Sequence, residues 1–181
     1  ALPRGGVPVA APVASRLGAP LDILTVRKIG LPGHAELAMG AVASGGTTVR
    51  NPEVIDGLGV DPTTFADAAD RARTELQQRE QRLRGDRRRH DITGRDVVIV
   101  DDGIATGSTM KAAIDAIQSS DPGSITIAVP VAAPEVVADI RRHVDRVICL
   151  LQPSRLRAVG LWYRRFGQTP DEEVRRLLDR S

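Results

Sequence analysis

Hydrophobic positions along this chain switch repeatedly between helical and strand spacing, and the order of the switches predicts an α/β fold. Apolar and small residues from Val7 to Leu17 recur at helical intervals, and Leu21 to Arg27 reads as a strand. Leu37 to Ala43 and Thr47 to Arg50 read as short strands about the turn Ser44-Gly45-Gly46. Thr63 to Leu83 is a long polar helix opened by Asp61-Pro62. Asp96 to Val100 is a strand, Ser108 to Ser119 a helix, and Ile125 to Val131 a second strand of the same kind. A helix from Pro134 to Arg142 and a strand from Val144 to Leu151 complete a β-α-β rhythm, which indicates a parallel sheet. The last helix follows Gln168, with Thr169 expected as its cap and Pro170 at its first position.

No repeat or long linker interrupts this order, so residues 1–181 are expected to form one domain. Ala1-Leu2-Pro3 reads as the end of a strand, which predicts a helix and a strand ahead of residue 1. Charged residues make up 27% of the chain and the formal net charge is only +2, so no overall field points to nucleic acid. The basic run from Gly85 to His90 reads as a solvated connection on the same ground. No apolar run approaches membrane length, and no membrane partner is expected. Cys149 stands alone in the strand Val147 to Leu151, which rules out a disulfide framework and suits a reducing cytoplasm.

The chemistry concentrates between Val97 and Thr109. Four β-branched residues, Val97 to Val100, end abruptly in Asp101 and Asp102, and the chain then runs through Gly103-Ile104-Ala105-Thr106-Gly107-Ser108-Thr109 into a helix. This is the carboxyl end of a parallel strand, where open α/β sheets place their ligands. Small side chains there let backbone N–H groups converge on an anion, and the helix N-terminus adds positive potential. Two carboxylates beside an anion cradle fit a ligand that carries hydroxyls or a metal next to its phosphate, as a sugar phosphate does. A helix cap alone would use one acid. A nucleoside-triphosphate P-loop is excluded, because Gly107 stands where that motif needs a lysine and Lys111 comes too late.

This stretch resembles the phosphoribosyl pyrophosphate (PRPP) signature of the type I phosphoribosyltransferases. The resemblance implies a Rossmann-like parallel-sheet core with a flexible loop and a small C-terminal hood over residues 152–181. It places the 5′-phosphate on Ala105, Thr106, Gly107, Ser108 and Thr109, counts Gly103 among the PRPP-binding residues, and puts the ribose hydroxyls on Asp101 and Asp102, directly or through Mg²⁺. Two further segments fit it. Leu2-Pro3-Arg4-Gly5-Gly6-Val7-Pro8 sets two glycines between a strand end and a helix, with Arg4 as a forked donor for phosphate oxygens. It is similar to the family's short pyrophosphate-binding loop, which implies a non-proline cis peptide next to Arg4. Val26-Arg27-Lys28-Ile29-Gly30-Leu31-Pro32-Gly33-His34 resembles the Arg-Lys strand end and following loop of adenine and orotate phosphoribosyltransferases. By that likeness Arg27 and Lys28 face pyrophosphate, and residues 29–50, with His34 and Glu36, form a mobile cover that excludes water.

Three of the four aromatic residues, Trp162, Tyr163 and Phe166, lie beyond the last core strand. They suit a stacking surface for a planar base in the hood, or they pin the C-terminal helix to the body; the sequence leaves both open. The function implied is transfer of a phosphoribosyl group from PRPP to a nitrogenous base in nucleotide metabolism, with Mg²⁺ required and Asp101, Asp102, Arg4 and Lys28 as the catalytic set. A homodimer is common in the family. Ala105 stands where enzymes for 6-oxopurines carry an Asp that meets the base, so the loop looks more like the adenine type. Over its whole length the chain resembles a group of bacterial phosphoribosyltransferase-domain proteins, some of them fused to a hydrolase domain, from which no acceptor is inherited. The alternative is a non-catalytic PRPP- or nucleotide-binding regulatory module on the same fold. RNA binding through Arg87 to Arg89 is a weaker third reading.

Overall fold

A computed structural model describes residues 1–180, apart from the side chains at 35 and 36. Helix α1 (Gly6–Leu17) precedes an antiparallel sheet of β1 (Val26–Leu31), β2 (His34–Ala43) and β3 (Thr48–Arg50). Helices α2 (Pro52–Gly57) and α3 (Pro62–Arg84) lead to a parallel sheet of β4 (Asp96–Val100), β5 (Ser124–Val131) and β6 (Arg146–Leu151). Its crossovers are α4 (Ser108–Gln118) and α5 (Pro134–Ile140). A 3₁₀ turn over Val159–Trp162 and α6 (Asp171–Leu178) complete the described chain. The α/β class with a parallel core sheet is therefore as expected.

β5 lies at the centre of the parallel sheet, with Val100 of β4 level with Ala128, and Ala128 level with Ile148 of β6. Ile125, Ile127, Val129 and Val131 alternate into one face of β5, and the first three pack in one cluster with Met110, Ala113, Ile114 and Ile117 of α4. Ala1 and Leu2 continue this layer on the other side of β4: Leu2 N–H donates to Val100 O at 2.9 Å, and Leu24 N–H to Ala1 O at 2.9 Å. The Pro3–Arg4 corner is thereby fixed beside the carboxyl end of β4.

The antiparallel sheet differs from expectation. β1 starts at Val26, not at Leu21, so Arg27 and Lys28 lie inside a hairpin strand that β2 pairs as far as Leu31. The segment expected as a mobile cover is mostly this hairpin. Ile29, Met39 and Val42 are fully buried against Phe65, Ala68, Ala69, Ala72 and Leu76 of α3. Those α3 positions recur at helical spacing, and the three alanines let the helix settle close on the sheet. Asp61 caps α3 by accepting from Thr64 N–H at 2.9 Å. Two short elements, α2 and the 3₁₀ turn, carry too few residues to show a period in sequence. At α6 the N-cap is Pro170 with extended backbone, rather than Thr169. Cys149 is half-buried in β6. Among the described residues no helix is long and apolar enough to cross a membrane.

Ile127 is fully buried at the middle of β5. Ile127→Ala should cost about 2–5 kcal/mol of unfolding free energy. Leu150→Ala, at a position 76% exposed, should change it by less than about 0.5 kcal/mol. Urea denaturation of both variants checks the contrast.

Candidate active site

Two corners of the chain meet at the carboxyl end of β4. One is the Pro3–Gly6 loop, in which the Pro3–Arg4 peptide is cis. The other is Asp101-Asp102. A side chain at Gly5 would place its Cβ 1.9 Å from Asp102 Oδ2, and one at Gly6 would lie 2.7 Å from Val100 O and 2.9 Å from Asp101 Cα. The loop backbone thus rests directly on the acid pair. Only residues without a Cβ permit this approach.

The pair is electrostatically unfavourable as it stands. Burial, then the neighbouring Asp102 carboxylate, pushes the Asp101 carboxyl up to about 7. Asp102 is raised as well, by burial. Asp101 Oδ1 accepts the Asp102 N–H at 2.9 Å, which holds the first acid under the second. An electropositive ligand or a set of hydroxyl donors would relieve both groups.

The loop that follows is open where an anion would sit. Ile104 anchors it by donating to Val131 O at 2.9 Å and is buried, while Ala105, Thr106 and Thr109 are exposed. Gly107 caps α4 in the left-handed region at φ 79°, a conformation that suits glycine. The first helical bond runs from Lys111 N–H to Gly107 O at 2.8 Å, so the amides of the preceding turn lie outside the helix's own ladder. Thr106 and Ser108 share a hydroxyl hydrogen bond of 3.2 Å beside them. This is a cradle of backbone donors at a helix N-terminus.

The chain after β6 closes over the acids. Tyr163 Oη donates to Asp102 O at 2.6 Å, and burial followed by the two carboxylates raises its phenol to about 12. Val159 packs so tightly on Gly103 that a Cβ there would lie 2.7 Å from Val159 Cγ1. Phe166 tilts against Tyr163 with ring centroids 5.2 Å apart. Trp162 and Phe166 are about half exposed, at 44% and 51%.

On the other side of Arg4 lies a polar cleft of about 580 Å³ between β1, α3 and α6. Arg4 donates to Asp171 Oδ1 at 3.2 Å and to Gln168 Oε1 at 3.4 Å. Arg27 forms an ion pair with Glu75 on α3. Arg79 donates to Pro3 O at 3.2 Å, and Arg82 lines the same wall.

The structure therefore gathers Arg4, Gly5, Gly6, Asp101, Asp102 and the 103–109 loop, with Tyr163 bound to the acids' backbone and Arg27 in the adjoining cleft. Lys28 is not brought to that cleft. Strand alternation puts it on the face of β1 opposite Arg27 and Ile29, and it is exposed. His34 begins β2 at the hairpin turn, and the Glu36 side chain lies outside the described residues. Sequence reasoning missed Val159, Asp171, Arg79 and Arg82. The α3 residues had a signal: Glu75, Arg79 and Arg82 are spaced by four and three, which makes one polar stripe on a helix.

A parallel α/β sheet with paired acids and open amides at its carboxyl end is an arrangement that suits a phosphorylated ligand bearing hydroxyls. The chain belongs to the phosphoribosyl transferase domain family, whose pattern matches residues 1–163, and within it to type I. It is 47% identical over 181 residues to a Mycobacterium tuberculosis protein named "Putative phosphoribosyl transferase", in strains H37Rv and CDC 1551 alike. That match takes in 99% of this chain and 41% of the relative, so the chain spans less than half of the curated relatives' length. A uracil phosphoribosyltransferase of Clostridioides difficile (strain 630) is 44% identical over 57 residues, 32% of this chain and 27% of that protein. The crystal structure of TT1426 from Thermus thermophilus superposes with a TM-score of 0.88 at 43% identity, covering 98% of this chain and 84% of that one.

Two outcomes follow from the acid corner. Gly6→Ala, which meets backbone, should destabilise the protein by about 1–3 kcal/mol, and Gly5→Ala by less, because the Asp102 carboxylate it meets can swing away; denaturant midpoints rank them. The folded chain also keeps a proton on Asp101 that the unfolded chain has lost between about pH 4 and its raised value near 7. Stability linked to that proton is present in full below about pH 4 and is lost as pH rises through 7. Asp101→Asn removes the loss, so its denaturation midpoint relative to wild type should climb across this window and level off above it.

Proposed function

We propose that this domain transfers the 5-phosphoribosyl group of PRPP to a nitrogenous base and releases pyrophosphate. The observation that carries the reading is the contact of the Gly5–Gly6 backbone with Asp101 and Asp102, one strand end away from the open amides of 105–109. A ligand bridging the two would have phosphate at one end, hydroxyls in the middle and a second anionic group near Arg4. PRPP has that order.

Each residue then has a task. Amides and hydroxyls from Ala105 to Thr109 bind the 5′-phosphate. Asp101 and Asp102 accept from the ribose hydroxyls and, once ionised, stabilise the positive charge that develops at C1′ as its bond to the pyrophosphate oxygen breaks. Arg4 and the amides at Gly5 and Gly6 bind the departing group, with Arg27 beside them. The base nitrogen attacks C1′ from the side covered by residues 158–166. Tyr163 has its hydroxyl committed to Asp102 O, so the stacking surface falls to Trp162 and Phe166.

Magnesium fits this site only as a shared ion. Among the described residues no group of three or more His, Cys, Asp or Glu side chains gathers to hold a metal. Asp101 and Asp102 match Mg²⁺ that takes one or two protein carboxylates and fills its shell from phosphate and water. When bound, it neutralises charge on the pyrophosphate. The lone half-buried cysteine agrees with a cytoplasmic setting.

The Arg4–Asp171 ion pair favours a second reading, a module that binds PRPP without turning it over, since the cation nearest the leaving group is already engaged. One assay separates them. With Mg²⁺, labelled PRPP and a panel of purine and pyrimidine bases, uracil included, pyrophosphate should be released with one acceptor. Asp102→Asn should lower kcat/KM by about 100-fold or more. Saturable PRPP binding with no release on any acceptor would establish the module instead.

A further inference from the structure

The side chains in the cleft beside Arg4 are out of balance in charge. Four arginines, Arg4, Arg27, Arg79 and Arg82, line it against two carboxylates, Glu75 and Asp171. Arg4 is paired with Asp171 and Arg27 with Glu75. Among the described residues neither Arg79 nor Arg82 forms an ion pair of its own, and the one carboxylate that acts on Arg79, Asp171, is already bonded to Arg4. Arg79 is half-buried and is aimed at the active-site corner, because its Nη2 donates to the carbonyl of Pro3. That bond uses one donor of a five-donor fork and leaves the others facing the cleft.

We infer that Arg79, with Arg82 one turn further along α3, forms the outer half of a receptor for the pyrophosphoryl group, and that Glu75 and Asp171 hold the inner arginines until that anion arrives. This inference rests on the PRPP reading above and extends its anion site from the Pro3–Gly6 loop onto α3. Guanidinium groups converge here without enough acids to neutralise them, an arrangement that costs free energy until a polyanion enters. Burial first, then the Arg4, Arg27 and Arg82 charges, lowers the Arg79 pKa against the opposing pull of Asp171, in agreement with that crowding. The cleft is bounded by a strand, a helix and the α6 N-terminal turn, so it suits a compact polyphosphate rather than an extended nucleic-acid backbone. Arg79 and Arg82 act by binding the leaving group; the two acids act through Arg4 and Arg27.

The test is calorimetric binding of two probes, magnesium pyrophosphate and ribose 5-phosphate, to wild type, Arg79→Gln and Gln78→Glu. Gln78 lines the same wall, and its substitution adds an opposing charge without removing Arg79. Pyrophosphate affinity should fall at least tenfold in both variants, while ribose 5-phosphate affinity stays within twofold of wild type. Pyrophosphate binding within twofold of wild type in both variants overturns the inference and leaves the PRPP reading standing. Failure of wild type to bind ribose 5-phosphate overturns the PRPP reading itself. If Arg79→Gln does not fold, the Gln78→Glu arm decides alone.

Discussion

Backbone laid on carboxylates is the constraint from which this site is built. Gly5 and Gly6 can lie against Asp102 and Asp101 only because Leu2 is hydrogen-bonded to Val100 and Ala1 to Leu24, which sets the first corner of the chain level with the end of β4. The same contact strips water from Asp101 and lifts its carboxyl toward neutrality. Fold and chemistry are thus coupled: the packing that positions the acids also makes them energetically uncomfortable while no ligand is present. Perturbed carboxyls in such a corner are what a site for hydroxyls and cations requires.

Most of the parallel half could be read from the sequence. Val97 to Val100, Ile125 to Val131 and the Ser108 helix have strong local periods, and the acids and small residues at 101–109 mark the carboxyl end of the sheet. The antiparallel half was harder. Arg27 and Lys28 look like a strand end because glycine and proline follow closely, yet β2 supplies pairing partners through Gly30 and Leu31. The hairpin is held by Ile29, Met39 and Val42 against α3, a contact between segments distant in sequence. Local pattern carries no record of it.

The same limit explains the site residues that were missed. Arg79 and Arg82 sit on a helix that reads as solvated, and their importance appears only when α3 is packed across β1 beside Arg4. Tyr163 was legible as an aromatic beyond the core but not as a hydrogen-bond donor to Asp102 O, since that pairing joins residues 61 apart. Its ring lies over Phe166, while its hydroxyl reaches inward. The fastening reading of the aromatic cluster therefore holds for Tyr163, while stacking on a base by the more exposed rings belongs to the function proposed above.

That division has an evolutionary corollary. Val159 against Gly103 and Tyr163 against Asp102 rivet the roof to the acid corner at two points. Trp162, half in solvent, bears little of that load, whereas Phe166 packs on Tyr163 and closely on Gly160. If the base stacks there as proposed, a lineage could exchange Trp162, and so drift from one aromatic acceptor to another, without loosening the rivets. Variation in this roof should therefore be cheap at the indole and expensive at the two fastening residues.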